Sequence, residues 1–342
     1  MSIRIFIVFL FMGFGISSNA QMGVNAKNEK EQKSQLVMLA EKYMSTALHE
    51  YGNKPMYYLQ VKKSDCRVSV RINDIPVYCD FSDDEIESQL YPVNAVLSRS
   101  GCHTFSVEVL PAGQQEYISE DASACIRILF LSDVNASETE ATLVKELCLP
   151  GDLETQKLKC HRASDTLDVS LPFDYSDRLV KARDLRQVPN LEEMVVKQYN
   201  KLRQYLVNGD RLGYQKECLR SIVQIGDMIY FGKDQLINVI CNDEGFDLNV
   251  SDRKVEPIED YEMQIYGNGK LVQLKTKLSK DDVLQVSYRQ KQETQVVETD
   301  EEGVVHVSFG EADGSVEEEY PVQVYLSIVL YMPENSDYLE IY

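Results

Sequence analysis

The spacing of hydrophobic residues changes along the chain and divides it into regions. From about residue 25 to residue 51, apolar side chains recur every three or four positions, as at Leu36 and Leu48, which predicts an amphipathic helix. From Met56 to about Tyr175 the period is two, which predicts short, half-buried strands with turns about every ten residues. The segment 66–79 is typical: two alternating runs flank Asn73-Asp74, a tight-turn pair.

Helical spacing returns between Pro189 and Cys241. Asn190 followed by Glu193 is a capping-box pattern, which predicts that a helix begins here. Asn208-Gly209 predicts its end, and a second apolar stripe follows around Cys218. Together the two stripes predict a helical hairpin.

Alternating positions reappear from Tyr261 onward. Gly267-Asn268-Gly269 separates two alternating runs and predicts a β-hairpin. The stretch Val322–Leu330 is apolar at every second position, which predicts one long central strand. Tyr325 and Tyr331 would then lie on the second, tyrosine-bearing face of that strand.

These patterns predict a fold that is mostly β with α. Two antiparallel, sandwich-like β modules are joined by the helical hairpin, and a further helix precedes them. The expected divisions are a signal peptide (1–20), an N-terminal helix (21–55), a first β module (56–185), the helical hairpin (186–242) and an acidic C-terminal β module (243–342).

The beginning of the chain predicts export. Arg4 precedes an apolar run from Ile5 to Ile16, and Ser18 and Ala20 fit the small-x-small rule for cleavage before Gln21. The run is shorter than the roughly 20 residues of a membrane-spanning helix. We therefore expect a periplasmic or secreted protein after cleavage near Ala20, without stable membrane insertion; a retained N-terminal anchor is the alternative.

Acidic residues outnumber basic ones, 55 against 35, which gives a net charge of −20. The imbalance is concentrated after residue 242, where 23 acidic residues face 8 basic ones. A field of this sign repels phosphate backbones, so we expect no nucleic-acid binding. It would attract a basic protein partner, although an acidic surface that merely keeps the protein in solution is the alternative.

Eight cysteines in a chain predicted to be exported favour disulfides. The candidates are Cys66, Cys79, Cys102, Cys125, Cys148, Cys160, Cys218 and Cys241. Spacing favours Cys148 with Cys160, across a turn at Pro150-Gly151-Asp152, and then Cys66 with Cys79. Buried free thiols are the second interpretation and catalytic cysteines a distant third.

Several stretches carry a resemblance to a known group of proteins. They are "VRINDIPV", "PVNAVLSRSGCHTFSVEVLP", "MQIYGNGKLVQL" and a closing "YLxxxLYMPxxxxYLEIY". The chain from roughly Cys66 to Tyr342 thereby resembles uncharacterised exported proteins of Gram-negative bacteria, of a Bacteroidetes-like kind. The resemblance implies a two-module β protein with helices between the modules, and it implies no catalytic residue.

No common catalytic motif is present. The chain lacks G-x-S-x-G, a P-loop, G-x-G-x-x-G and H-E-x-x-H, so the sequence assigns no catalytic residue and no cofactor. Calcium is the ion that the sequence favours, because oxygen-bearing side chains cluster in one short segment. They are Asp243, Asp247, Asn249 and Asp252. Their order departs from an EF-hand, and a solvated loop is the alternative.

These observations favour an exported, non-enzymatic binding protein. It would be an immunity or inhibitor protein against a toxin that acts in the periplasm, or an envelope interaction protein. Glu317, Glu318 and Glu319 would steer a basic partner onto the C-terminal module, and Tyr325 and Tyr331 would anchor it. The alternatives are that the tyrosines pack under the helices, and that the protein is a peptidoglycan- or glycan-acting hydrolase using carboxylates.

Overall fold

The computed structural model describes residues 24–82, 84–241, 251–291, 294–299, 305–310 and 319–342, without the side chains of residues 24–29 and 290–319. The helices are α1 (Val24–Ala47), α2 (Asn94–Leu97), α3 (Leu153–Gln156), α4 (Asp177–Val180), α5 (Leu191–Asn208), α6 (Arg211–Met228) and α7 (Lys233–Ile240). Short 3₁₀ turns lie at Glu138–Glu140 and Leu185–Gln187.

Among the described residues, eight strands lie between α1 and α4 in the chain, and nine follow α7. The first eight are β1 (Met56–Ser64), β2 (Cys66–Ile72), β3 (Ile75–Asp80), β4 (Ile86–Pro92), β5 (Gly101–Pro111), β6 (Ser123–Leu131), β7 (Thr142–Cys148) and β8 (His161–Val169). The others are β9 (Ser251–Val255), β10 (Tyr261–Tyr266), β11 (Leu271–Thr276), β12 (Gln285–Lys291), β13 (Thr294–Thr299), β14 (Val305–Gly310), β15 (Glu319–Tyr325), β16 (Leu330–Tyr331) and β17 (Glu340–Ile341). The predicted class, mostly β with α, is confirmed.

Two antiparallel sheets form the first part of the protein. Their strand orders are β4-β1-β6-β7 and β3-β2-β5-β8, and both contribute to one hydrophobic core. The alternation predicted for β2 is confirmed, since Val68, Val70 and Ile72 are fully buried. Asn73 and Asp74 both have positive φ, as the tight hairpin turn between β2 and β3 requires.

The strands after residue 250 form separate sheets, with orders β10-β11-β16-β17, β15-β12-β9 and β13-β14. The hairpin predicted at Gly267-Asn268-Gly269 is confirmed, because β10 and β11 pair on either side of it. The single long strand predicted for Val322–Leu330 is wrong, since β15 and β16 lie in different sheets. Between them the Ile328 carbonyl accepts a hydrogen bond from the buried hydroxyl of Tyr199 on α5, at 2.5 Å.

The predicted helical hairpin is confirmed by α5 and α6. Gly209 ends α5 with a φ of 65°, as expected for a helix stop. The side-chain cap expected at Asn190 is wrong: this residue has a φ of 54° and makes no capping hydrogen bond. The left-handed backbone there replaces the extended one that an N-cap normally has.

Helix α6 contacts the three other long helices, α1, α5 and α7. Helix α5 packs on the core of the later sheets. Helix α1 packs on α6 and α7 through Leu36, Ala40 and Met44, which contact a cluster that includes Leu219 and Val223. Among the residues that the structure describes, no helix combines the length and the apolar character needed to cross a membrane.

The disulfide differs from the pairing predicted by spacing. Cys125 and Cys148 are bonded, directly opposite each other on β6 and β7, with their Cα atoms 4.1 Å apart. The predicted pair Cys148–Cys160 is wrong, because β7 and β8 lie in different sheets rather than in one hairpin. The pair Cys66–Cys79 is also wrong, because Cys79 lies opposite Ser69.

The other cysteines are thiols in the structure. Cys66 and Cys218 are buried, Cys79, Cys160 and Cys241 are half-buried, and Cys102 is exposed. Burial raises the pKa of the Cys66 thiol to about 11 and that of Cys218 to about 12. Both therefore remain neutral near pH 7, as the second interpretation from the sequence expected.

Candidate functional site

A cleft of about 710 Å³ opens where α1, the segment after β8 and the last residues of the chain meet. Its walls come from elements that are far apart in sequence, and they combine tyrosines with charges of both signs. The side chains that line the cleft include Tyr43, His49, Asp174, Tyr175, Asp177, Arg178, Lys181, Arg220, Gln224, Tyr331, Tyr338 and Glu340.

A buried carboxylate lies behind the wall of the cleft, where it is hydrogen-bonded to two lining residues, His49 and Tyr175. Asp227, near the end of α6, is only 2% exposed. It accepts hydrogen bonds from the His49 backbone N–H at 2.8 Å and from the Tyr51 hydroxyl at 2.6 Å. His49 Nδ1 lies 3.0 Å from Oδ2, and the Tyr175 hydroxyl donates to the same oxygen over 2.5 Å.

This cluster is stable because its donors replace the water that the carboxylate loses. An unpaired carboxylate in the protein interior would be strongly unfavourable. Burial, together with the hydrogen bonds to Asp227, raises the pKa of Tyr51 and of Tyr175 well above the ordinary value. Both phenols therefore stay protonated and act as donors at all physiological pH values.

Like Tyr175, His49 both belongs to the cluster and lines the cleft. Its side chain is 58% exposed, whereas that of Asp227 is 1% exposed. The carboxylate fixes the orientation of the ring, which is how a buried acid prepares an imidazole for hydrogen bonding or proton transfer. Within the described residues, the hydrogen bonds of His49 end on Asp227 and Tyr175, and no serine, threonine or cysteine is joined to it.

Arg178 is another residue that lines the cleft. Its guanidinium lies over the ring of Tyr331 at 4.4 Å and over that of Tyr342 at 5.1 Å, which are cation–π distances. Nη1 donates to Gln224 Oε1 at 3.1 Å and Nη2 donates to the Ile341 carbonyl. These contacts fix the side chain of Arg178, which belongs to the short helix α4, in one orientation.

The charged groups around the cleft are largely paired with one another. Lys181 contacts Asp177 at 2.5 Å, and Arg220 contacts Glu340 at 3.3 Å. Glu340 also accepts a hydrogen bond from the Tyr331 hydroxyl at 2.8 Å. The surface is therefore one of aromatic rings and neutralised charge rather than a concentrated acidic or basic patch.

The structure separates the two tyrosines that were predicted to share a face. Tyr331 is 2% exposed and borders the cleft through its contacts with Arg178 and Glu340. Tyr325 is half-buried on β15, opposite Gln285, in another sheet. Tyr331 is therefore buried against Arg178 and Glu340. Glu319 begins β15, and its side chain, like Glu317 and Glu318, lies outside the described residues.

The candidate calcium loop falls mostly outside the description. Asp243, Asp247 and Asn249 are not among the described residues, and Asp252 is an exposed residue of β9 with a φ of 52°. Elsewhere in the described chain, Cys125, Glu146 and Cys148 are close enough for a metal. Both sulfurs are engaged in the disulfide, so they offer no thiolate ligand.

Sequence reasoning missed His49, Tyr51, Tyr175, Arg178 and Asp227. One signal was present for Asp227, a carboxylate set between Ile225 and Met228 in an apolar helical stripe. A charged residue in a buried stripe needs partners, but its position cannot show which distant segments supply them.

Comparison with models of known protein families, with curated protein sequences and with solved structures finds no match to this chain.

Proposed function

We propose that the protein is an exported, non-enzymatic binding protein whose partner contacts the cleft beside Asp227. The observation that carries the proposal is that the reactive groups of the cleft are already engaged. Asp227 accepts several donors, and Glu340 and Asp177 are paired with cations. Such groups recognise a ligand by shape and hydrogen bonding more readily than they transfer its protons.

The competing proposal, a glycan or peptidoglycan hydrolase, needs different carboxylates. Glycoside hydrolysis uses one acid whose pKa is raised and a second carboxylate that faces the sugar. Asp227 is surrounded by donors and shielded from the cleft by His49 and Tyr175. Asp174, another acid at the cleft, accepts hydrogen bonds from Ser176, and these lower its pKa. A lowered pKa is the opposite of what a general acid requires.

Charge and location favour a basic protein as the partner. The net charge of −20 would accelerate the approach of such a partner. The signal-peptide pattern of residues 1–20 and the Cys125–Cys148 disulfide support an exported location. An immunity or inhibitor protein that meets a basic toxin, or a component of an envelope assembly, fits this combination.

The proposal is tested with variants at exposed cleft positions. Tyr338 and Lys181 are suitable, because their side chains are about 60% exposed and their loss should leave the fold intact. Proteins cross-linked to the full chain in the envelope are quantified by mass spectrometry for the wild type and for Tyr338→Ala/Lys181→Ala. We expect one partner to be lost at least tenfold in the variant.

Tyr320→Ala is the matched control, because Tyr320 is 40% exposed but lies outside the cleft. It should retain the partner. If Tyr338→Ala/Lys181→Ala and the control Tyr320→Ala capture the same proteins in equal amounts, the cleft is not the binding site. Release of soluble fragments from purified peptidoglycan by the wild-type protein, but not by a heat-denatured sample, would instead support the hydrolase.

A further inference from the structure

The carboxylates that line the cleft differ in whether a cation neutralises them. The described lining contains four, which are Asp174, Asp177, Glu334 and Glu340. Asp177 is paired with Lys181, and Glu340 is paired with Arg220. Within the described part of the chain, Asp174 and Glu334 are in no ion pair.

Arg178 is the third Lys or Arg side chain of the lining, and its charge does not compensate these two acids. Its guanidinium lies over the rings of Tyr331 and Tyr342, at 4.4 and 5.1 Å. Among the described residues it is in no ion pair with a carboxylate. Two carboxylates and one guanidinium of the lining are therefore outside ion pairs, so the excess charge offered to a partner is negative.

Asp174 is an exposed carboxylate that is already held in one orientation. Its Oδ1 accepts hydrogen bonds from the Ser176 hydroxyl at 2.6 Å and from the Ser176 N–H at 2.9 Å. These bonds, helped by the charge of Arg99, lower the pKa of Asp174 and keep it ionised. Arg99 itself is outside the cleft lining and donates to the Ser100 carbonyl at 3.4 Å.

Aromatic rings line the cleft around this carboxylate. Tyr175 follows Asp174 directly in the chain, and Tyr43 and Tyr338 line the same space. Tyr338 is 59% exposed, so a ligand can reach its ring. A planar guanidinium can pair with a carboxylate and pack on an aromatic face at the same time, whereas the ammonium group of lysine is a compact, strongly hydrated charge.

We propose that the protein partner inserts an arginine side chain into the cleft, where the guanidinium pairs with Asp174 and packs on the neighbouring tyrosine rings. This inference rests on the proposed function, because it names the group by which the cleft would recognise a basic partner. A cleft of about 710 Å³ holds more than one side chain, so the arginine is one contact of a larger interface. Arginine is among the residues that contribute most to binding energy at such interfaces.

Three capped tripeptides serve as probes: Gly-Arg-Gly, Gly-Lys-Gly and Gly-citrulline-Gly. Citrulline keeps the planar end group of arginine without its charge, and lysine keeps the charge without the plane. The full chain is titrated with each peptide while tyrosine ring resonances are followed in NMR spectra. We expect saturable binding of the arginine peptide, about fivefold tighter than the citrulline peptide and about twofold tighter than the lysine peptide. The preference over citrulline should fall as salt is added, because it is electrostatic.

Asp174→Asn removes the charge but keeps the oxygen that accepts hydrogen bonds from Ser176, so the fold should be retained. It should bring the affinities of the arginine and citrulline peptides within about twofold of each other. Asp121→Asn is the matched control, because it makes the same change of charge at an exposed acid outside the cleft. It should leave the preference for arginine unchanged.

Three results would overturn the arginine site: no saturable binding of the arginine peptide, equal wild-type affinities for the arginine and citrulline peptides, or an unchanged preference in Asp174→Asn. None of these would contradict the proposed function, which is tested separately by the loss of a cross-linked partner in Tyr338→Ala/Lys181→Ala. Conversely, the expected preference for arginine together with unchanged cross-linking would confirm the arginine site and contradict the cleft as the surface for a protein partner.

Discussion

The hydroxyl of Tyr175 lies 2.5 Å from Oδ2 of Asp227, although 52 residues separate the two in sequence. Tyr175 follows the last strand of the first β module and Asp227 is on α6. With His49 and Tyr51, which follow α1, this hydrogen bond joins three parts of the protein at one carboxylate. The fold and the candidate binding cleft therefore depend on the same side chain.

Replacing Asp227 should destabilise the protein strongly. Asp227→Ala leaves Tyr51, Tyr175 and the His49 N–H without their acceptor, and we expect a loss of about 3–5 kcal/mol in the free energy of unfolding. Asp227→Asn keeps part of the acceptor capacity and should cost less. Urea unfolding measures both, with the exposed Glu87→Ala as a control within about 0.5 kcal/mol of the wild type. An Asp227→Ala variant as stable as this control would contradict the structural role of the cluster.

A buried ion pair in the first module predicts how stability depends on pH. Lys63 is 1% exposed and its Nζ lies 3.1 Å from Asp80. Burial alone raises the pKa of Asp80, but hydrogen bonds from Ser82 and the charge of Lys63 outweigh it and hold this pKa below its ordinary value of 3.8. A lowered pKa stabilises the fold above the ordinary value, and this contribution disappears as pH falls through the pKa of the folded state.

Lys63→Met should therefore lower the free energy of unfolding by about 3–5 kcal/mol at neutral pH, because Asp80 is left charged and buried without its cation. The difference from the wild type should shrink as the pH is lowered, since Asp80 protonates sooner in the variant. Urea unfolding at a series of pH values tests this, with Lys159→Met as the control at an exposed ion pair. A pH-independent difference would refute the electrostatic explanation.

The cysteines should differ sharply in their reactions. Non-reducing peptide mapping of the purified protein should recover Cys125 linked to Cys148. Under native conditions an alkylating reagent should modify the exposed Cys102 first and spare Cys66 and Cys218, whose burial raises their pKa values. In denaturant all of the thiols should react. A Cys148–Cys160 link in the mapped peptides would restore the pairing expected from spacing.

The acidic character of the later sheets should act on the rate of association. Changing Glu317, Glu318 and Glu319 together to Gln should slow binding of a basic partner and reduce its dependence on salt, with a smaller effect on dissociation. The control changes Glu116, Glu120 and Asp121, three exposed acids of the first module, to their amides. Stopped-flow measurements over a range of salt concentrations compare the two. If the association rate depends on salt concentration equally in both variants and the wild type, the steering proposal is wrong.

Local chemistry explains which elements could be predicted from sequence. The turns at Asn73-Asp74 and Gly267-Asn268-Gly269 need positive φ, and the residue types that tolerate it are adjacent in the chain. Alternating and helical spacings likewise predicted β2 and α6. Each of these signals lies within a window of a few residues.

The remaining features depend on pairs that spacing does not encode. Cys125 lies opposite Cys148 because β6 and β7 are neighbours in one sheet, whereas the predicted partner Cys160 precedes a strand of another sheet. The same applies to Asp227, whose partners come from two distant segments. Tyr199 and Ile328 are likewise hydrogen-bonded although 129 positions separate them in sequence. Ile328 lies in the break between β15 and β16, within the segment that the alternating pattern predicts as one strand.

The order in which the chain is synthesised gives the Asp227 cluster a further consequence. His49 precedes Asp227 by 178 residues, so the helix that supplies the acceptor is made long after α1 and the first β module. Until then, His49, Tyr51 and Tyr175 have no common partner. Closing so long a loop adds little entropic cost over a loop of half the length, about 0.6 kcal/mol, but non-local contacts of this kind form slowly. The hydrogen bonds of Asp227, which connect the N-terminal helix to the first β module, are thus completed late in folding.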